Sequence, residues 1–333
     1  MEPAGLTAKL ESRRAPARPH PPRGNIRPSK TAAPAPPETV DPIWLLKALA
    51  LSLAAALLCV YAAACLLFYQ GEWQLVLHPS HTVDRTPTSV GLPFEDVRFG
   101  DFDTGQPHLT AWWIPAQNPS STTPQFQTRF AAYTILYLHS GSGSLSDTVP
   151  ALTLLHRTGL NVFAIDYRGF GASDPSQHPD DARMMQDAQA ALDYLVSTRH
   201  IPARFIIPYG ASLGASLAVQ LAHDHPDLPA VILDHPDPDP AATAVAARPS
   251  SLIPVRLLFG SRFAIAAPLA SLKTPKLLIA SGPSQRSVEE STVQNLFHHA
   301  ASPSFTVILP PANPDPALEN ALQRFLDQYL PGK

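Results

Sequence analysis

Residues 204–220 read RFIIPYGASLGASLAVQ, and this stretch decides the fold. An apolar run of strand character, Phe205-Ile206-Ile207, leads into Gly210-Ala211-Ser212-Leu213-Gly214, and a small-residue helical pattern follows at Ala215, Leu217, Ala218 and Leu221. This is G-x-S-x-G in its required context of strand, sharp turn and helix. The turn is so tight that a Cβ on either side of Ser212 would strike neighbouring backbone, which explains the two glycines. It leaves the Ser212 hydroxyl exposed above a sheet. The backbone N–H of Leu213, opening a helix, faces any oxyanion formed there. Pro208 lacks the N–H that a central strand needs, so regular pairing is expected to end just before this turn.

Outward from the turn, strand and helix alternate. Strand-like runs occur at 94–99, 108–114, 133–139, 160–166, 205–209, 231–234, 276–280 and 305–309, and helical spacing near 148–156, 182–196, 213–223, 288–300 and 317–329. Two strands followed by strand–helix alternation predict an α/β domain: a mostly parallel eight-stranded sheet flanked by helices, with active loops at the strand C-terminal ends. The Pro- and Ala-rich stretch 236–272 interrupts the alternation and reads equally as a cap over a pocket or as a surface excursion.

The chain has 333 residues, 45% hydrophobic and 15% charged, with a net charge of −3, which gives no reason to expect nucleic-acid binding. Residues 1–41 mix Arg13, Arg14, Arg18, Arg23, Arg27 and Lys30 with Pro, Ala and Ser, and have too few large apolar residues for a core; a disordered basic tail is expected. From Ala48 to Tyr69 no charge interrupts an apolar run long enough to cross a bilayer as one helix, with Lys47, Trp44, Tyr69 and Trp73 at its ends. We therefore expect a single-pass anchor over 42–70 and a catalytic-type domain over 71–333. The basic residues precede the span, and the twenty residues after it carry only Arg85 as a cation. The positive-inside rule then puts the N-terminus in the cytoplasm and the large domain on the opposite side, periplasmic or extracytoplasmic if the source is bacterial. Both cysteines, Cys59 and Cys65, lie in the span, so cysteine usage does not fix the compartment of the domain.

Taken together, LVLHPS (75–80), GLPFEDVRF (91–99), LTAWWIP (109–115), LYLHSGSGS (136–144), DYRGFGASD (166–174), Asp187 and YGASLG (209–214) resemble the membrane-anchored branch of the α/β-hydrolase superfamily related to serine aminopeptidases and monoacylglycerol-type acylhydrolases. The resemblance implies Ser212 as nucleophile, with Leu213 and the loop around Ser140 and Gly141 as oxyanion donors; Ser140 stands where relatives carry a glycine, and the loop reads equally as a flexible Gly/Ser turn. It also implies an acid after the seventh strand and a histidine after the eighth. At those places this chain has Gln285 and Asn313. His235, at the end of the sixth strand beside Asp234, Asp237 and Asp239, is the candidate displaced base. His139, beside the oxyanion loop, is a weaker candidate base, and the resemblance implies an architectural role for it; His223, His225, His298 and His299 are expected to be helix-terminal or surface residues. No cofactor or metal is expected, since no Cys or carboxylate spacing around these histidines suits a metal. Two functions follow: a membrane-anchored serine hydrolase of ester, lipid or peptide bonds, or a pseudohydrolase that keeps the fold as a binding or scaffolding module at the membrane. The expected partners are the membrane and a small-molecule, lipid or peptide ligand.

Overall fold

The computed structural model describes residues 41–101, 105–116, 129–240, 242, 263–281, 294–312 and 314–331. The basic tail, most of the 236–272 stretch, Gln285 and Asn313 lie outside the described residues. The chain divides into two units, Met1–Leu57 and Leu58–Lys333.

Helix α1 (Pro42–Gly71) has 30 residues and is long and apolar enough to cross a membrane. Leu45, Leu49, Leu53 and Leu57 are exposed along it. In water this apolar surface would be unfavourable by ~25 cal/mol per Å², whereas in lipid it is at rest.

The second unit is built on one eight-stranded sheet in the order β10-β9-β8-β7-β4-β6-β3-β2. The strands are β2 (Glu95–Phe99), β3 (Leu109–Ile114), β4 (Thr134–Leu138), β6 (Asn161–Asp166), β7 (Ile206–Ala211), β8 (Val231–Asp234), β9 (Lys276–Ser281) and β10 (Ser304–Leu309). β2–β3 and β3–β6 pair antiparallel and the remaining ladders are parallel. All eight expected strands are present; the central ones carry apolar runs buried on both faces, as in β4, TILYL, where every residue is buried, while the edge strands β2 and β10 alternate buried or half-buried with exposed residues.

Helices α2 (Leu145–Arg157), α3 (Asp181–Ser197), α4 (Gly214–Asp224), α5 (Ala266–Ser271) and α6 (Pro314–Tyr329) cover the sheet. One face packs Leu136, Phe163, Leu192, Leu217 and Leu221. The other packs Ile135, Leu152, Ile207, Phe325 and Leu326. Helix α2 begins three residues earlier than its apolar spacing predicts, because Ser144 and Asp147 form a capping box. Residues 294–299 form the described part of the helix expected over 288–300.

The expectation for Pro208 is corrected. β7 stays paired with β4 through Leu136↔Pro208 and Leu138↔Gly210, and with β8 through Ala211↔Asp234. Its ladder to β8 starts at Tyr209, so on that side the proline precedes the paired residues.

Two buried cations brace the sheet. Arg168 follows β6 and binds Asp187 of α3 with its Nε at 2.7 Å and its backbone N–H at 2.9 Å. The Lys276 ammonium, wholly buried at the start of β9, donates to the carbonyls of Leu272, Ala301 and Pro303 at 2.8, 2.6 and 3.2 Å. Burial pulls its pKa down to about 8.

Candidate active site

Ser212 sits in the turn between β7 and α4 at φ +52°, a left-handed conformation that is uncommon outside glycine. The sequence puts it there because the chain reverses between two contacts that admit no side chain. A Cβ on Gly210 would fall onto the Gly214 carbonyl oxygen and the Ala215 backbone, and one on Gly214 onto the carbonyls of Leu138 and His139. The Ser212 N–H donates to the Asp234 carbonyl at 2.8 Å, which ties the turn to the end of β8. The side chain is half-buried.

The loop after β4 is held in a way the sequence did not disclose. Ser142–Gly143 (β5) pairs in parallel with His78–Pro79 (β1), and the N–H groups of His78 and Ser80 donate to the carbonyls of Gly141 and Gly143 at 2.7 and 2.9 Å. Gly141 is thereby pressed against Leu213 and Leu77, where a Cβ would lie 2.5 Å from the Leu213 side chain. The N–H groups of Gly141 and Leu213 find no acceptor among the described residues. Ser140 instead turns its hydroxyl to the Ser142 carbonyl at 3.1 Å.

His139 lies beneath this loop, fully buried, with its ring against Tyr167 and Phe170. Its Nδ1–H donates to the Ser140 carbonyl at 2.7 Å, and Nε2 faces Asp166 Oδ1 at 3.6 Å. Burial lowers the histidine to about 4 and raises Asp166 to about 6. Asp166 also accepts the Leu145 N–H at 2.9 Å at the start of α2. These contacts match an architectural role for His139.

At the end of β8, His235 adopts φ +48° and donates its backbone N–H to the Ile279 carbonyl. Its Nδ1 meets Asp234 Oδ1 at 2.6 Å, and the other carboxylate oxygen accepts the Tyr209 hydroxyl at 2.6 Å. Asp234 is thus held at both oxygens and fixes the imidazole with Nδ1–H toward itself. That hydrogen bond, partly offset by desolvation, raises the pKa of His235 above its ordinary value. Nε2 is engaged by Ser281 Oγ of β9 at 2.6 Å, on the opposite side of β8 from Ser212. The structure therefore gives His235 its orienting acid and brings it to a serine, but to Ser281.

Two members of this cluster, Tyr209 and Ser281, were missed in the sequence. Only the register of three strand ends unites them with His235; residue spacing carries no such signal. A cavity of about 580 Å³ lined by Tyr69, Gln70, Trp73, His178, Asp180, Asp181 and Ala182 adjoins the end of α1, and none of the cluster lines it. As expected, His223, His298 and His299 are exposed, while His225 bonds Gln189 at 2.7 Å. No group of metal-binding residues occurs among the described residues.

Comparison with known proteins agrees with this geometry. The family model described as "Serine aminopeptidase, S33" matches residues 132–309, just over half of the chain. The chain is 30% identical over 152 residues to the α/β-hydrolase domain-containing protein WAV2 of Arabidopsis thaliana, a match covering 45% of each protein. It is 28% identical over 204 residues to the uncharacterized protein YfhR of Escherichia coli O157:H7, covering 61% of this chain and 67% of that one. The chain therefore spans about half the length of WAV2 and two thirds of YfhR. Among solved structures, the Pyrococcus furiosus esterase Pf2001 superposes with a TM-score of 0.58 at 20% identity, over 77% of this chain and 98% of the esterase. Sequence, sheet topology and family model agree, and the chain belongs to the α/β-hydrolase superfamily, in the serine aminopeptidase S33 family.

Proposed function

We propose that this protein is a membrane-anchored serine hydrolase that cleaves carboxylic esters of lipids or other amphiphiles. The observation carrying this reading is the Asp234–His235 pair, locked by Tyr209 at the strand end that also receives the Ser212 N–H. A serine is a weak nucleophile until a base takes its proton, and a base works best when a carboxylate fixes its tautomer.

In this reading the imidazole turns from Ser281 to Ser212 and accepts the hydroxyl proton as Oγ attacks the ester carbonyl carbon. The N–H groups of Leu213 and Gly141 take the oxyanion, which is worth ~3–4 kcal/mol per well-placed donor. The imidazolium then protonates the departing alkoxide, and a water molecule, deprotonated by the same imidazole, releases the acid. Esters are favoured over amides because the leaving group demands less. Helix α1 would hold the site beside a bilayer, with the domain outside the cytoplasm and the basic tail within.

The test is alkyl-ester hydrolysis followed by pH-stat, since alkoxide departure needs oxyanion stabilisation. Ser212→Ala is expected to lower kcat/KM at least ~100-fold; an unchanged rate contradicts the reading. The second reading, a pseudohydrolase that binds at the membrane surface, is favoured by Gln285 and Asn313 in place of the family's acid and histidine. Folded protein without alkyl-ester hydrolysis would support it.

A further inference from the structure

We infer that Ser281 is a second nucleophile of this protein, activated by Asp234–His235 for acyl groups that carry good leaving groups. Three residues in line make the case. Asp234 Oδ1 lies 2.6 Å from His235 Nδ1, and His235 Nε2 lies 2.6 Å from Ser281 Oγ. With Nδ1–H given to the carboxylate, Nε2 presents its lone pair, so the hydrogen between Nε2 and Oγ comes from the serine. This is the orientation a general base needs before attack, and it is already formed without movement of any side chain. Ser212, by contrast, requires the ring to turn.

The placement is also accessible. Ser281 is exposed, and the His235 side chain is 45% exposed while its partner Asp234 is 18% exposed. The buried end of the relay is thus the carboxylate, and the open end is the hydroxyl. Tyr209, wholly buried and stacked on Tyr137 at 5.2 Å, closes the inner side by holding Asp234 Oδ2. Backbone strain pins the middle member, since His235 keeps φ +48° while its N–H is bound to β9.

The substrate class follows from what surrounds the two serines. The Gly141 and Leu213 N–H groups lie at the Ser212 turn, so Ser281 must act where the leaving group departs without strong oxyanion support. Aryl esters fit. Oγ forms a bond to the acyl carbon, the carbon–aryloxide bond breaks, the aryloxide leaves as the anion, and the proton passes to His235 Nε2 and then to solvent. With a fluorophosphonate, the Oγ–P bond forms, the P–F bond breaks, and fluoride leaves.

The inference rests on the proposed function only in taking Asp234–His235 as a working base. The experiment is fluorophosphonate treatment of the full chain in detergent, with adducts mapped by peptide mass spectrometry in the wild type and in the Ser212→Ala, Ser281→Ala, His235→Gln and Ser212→Ala/His235→Gln variants, each checked for folding by circular dichroism. The expected result is an adduct on Ser281 in Ser212→Ala, formed at least ~10-fold more slowly in the protein that also carries His235→Gln. Adducts on Ser212 but none on Ser281 overturn this inference and leave the serine-hydrolase reading standing. An adduct on Ser281 with none on Ser212 supports the inference while removing Ser212 as nucleophile. A Ser281 adduct that forms equally fast with His235→Gln overturns the relay.

Discussion

Replacing Gly214 by alanine tests the elbow without touching a reactive group. Gly214 has no positive φ, so the substitution carries no conformational penalty of the left-handed kind. Its cost is steric. The new Cβ would lie 2.7 Å from the His139 carbonyl oxygen and 2.9 Å from the Leu138 carbonyl carbon, where ordinary contact begins at 3.4 Å. The nearest neighbour of all is the Leu138 carbonyl oxygen, and every one of these is backbone, so α4 and the end of β4 must separate by more than about 0.7 Å in an interior packed as densely as an organic crystal. Overpacking of this kind costs ~1–3 kcal/mol, and rigid backbone neighbours place it at the upper end. For a domain of this size each kcal/mol lowers the melting temperature by ~2–4 °C, so a fall of ~6–12 °C is expected by differential scanning fluorimetry. The shift also moves Ser212 against the Gly141 loop, and an error approaching 1 Å costs ~100-fold in rate. Gly91→Ala is the control: it has φ +77° with open space around it, so it carries strain of ~1 kcal/mol and no clash. If Gly214→Ala is no more destabilising than Gly91→Ala, and alkyl-ester hydrolysis stays within twofold, the steric reasoning is refuted.

Three further outcomes are expected. Asp187→Ala removes the only carboxylate paired with the buried Arg168 guanidinium among the described residues, leaving it the neutral Gln186 Oε1 and Arg183 carbonyl, and should cost ~3–5 kcal/mol in urea unfolding, much of it recovered in an Arg168→Met/Asp187→Leu pair. Asp234→Asn removes the hydrogen bond that raises the pKa of His235, so the acidic limb of kcat/KM for alkyl esters should move to lower pH while the plateau falls by up to ~10⁴. His139 and Asp166 titrate in opposition. The raised acid gives stability that is full below its unfolded value and lost as pH rises through about 6, whereas the lowered histidine gives stability present above its unfolded value and lost as pH falls through about 4. Wild-type stability should therefore be nearly flat from pH 4 to 6 as far as this pair is concerned. His139→Asn should lose ~3 kcal/mol as pH rises across that window, and a wild-type slope equally steep would contradict the opposition.

Much of this was readable from residue order because the signals are local. A five-residue run such as TILYL, with a Gly/Ser turn just after it and rich in β-branched and aromatic side chains, fits a strand buried on both faces, and G-x-S-x-G between an apolar run and Ala215, Leu217 and Ala218 fits a strand–turn–helix. The adjacency of Asp234 and His235 was likewise visible. What stayed hidden depends on pairing between distant segments. The β1–β5 contact that braces Gly141 joins residues over sixty positions apart, and Ser281 reaches His235 only because β8 and β9 run side by side. Pro208 misled because its missing N–H argues against a central strand, while the ladder to β8 begins only after it. The start of α2 was misplaced because apolar periodicity does not show a cap.

The most direct test of the central claim, that Ser212 is activated by Asp234–His235, is the rate at which a fluorophosphonate modifies Ser212 in wild-type protein and in His235→Gln. An adduct on Ser212 is expected in the wild type, formed at least ~100-fold more slowly once the imidazole is gone. Folded wild-type protein with no adduct on Ser212, or equal rates in the two proteins, would contradict it.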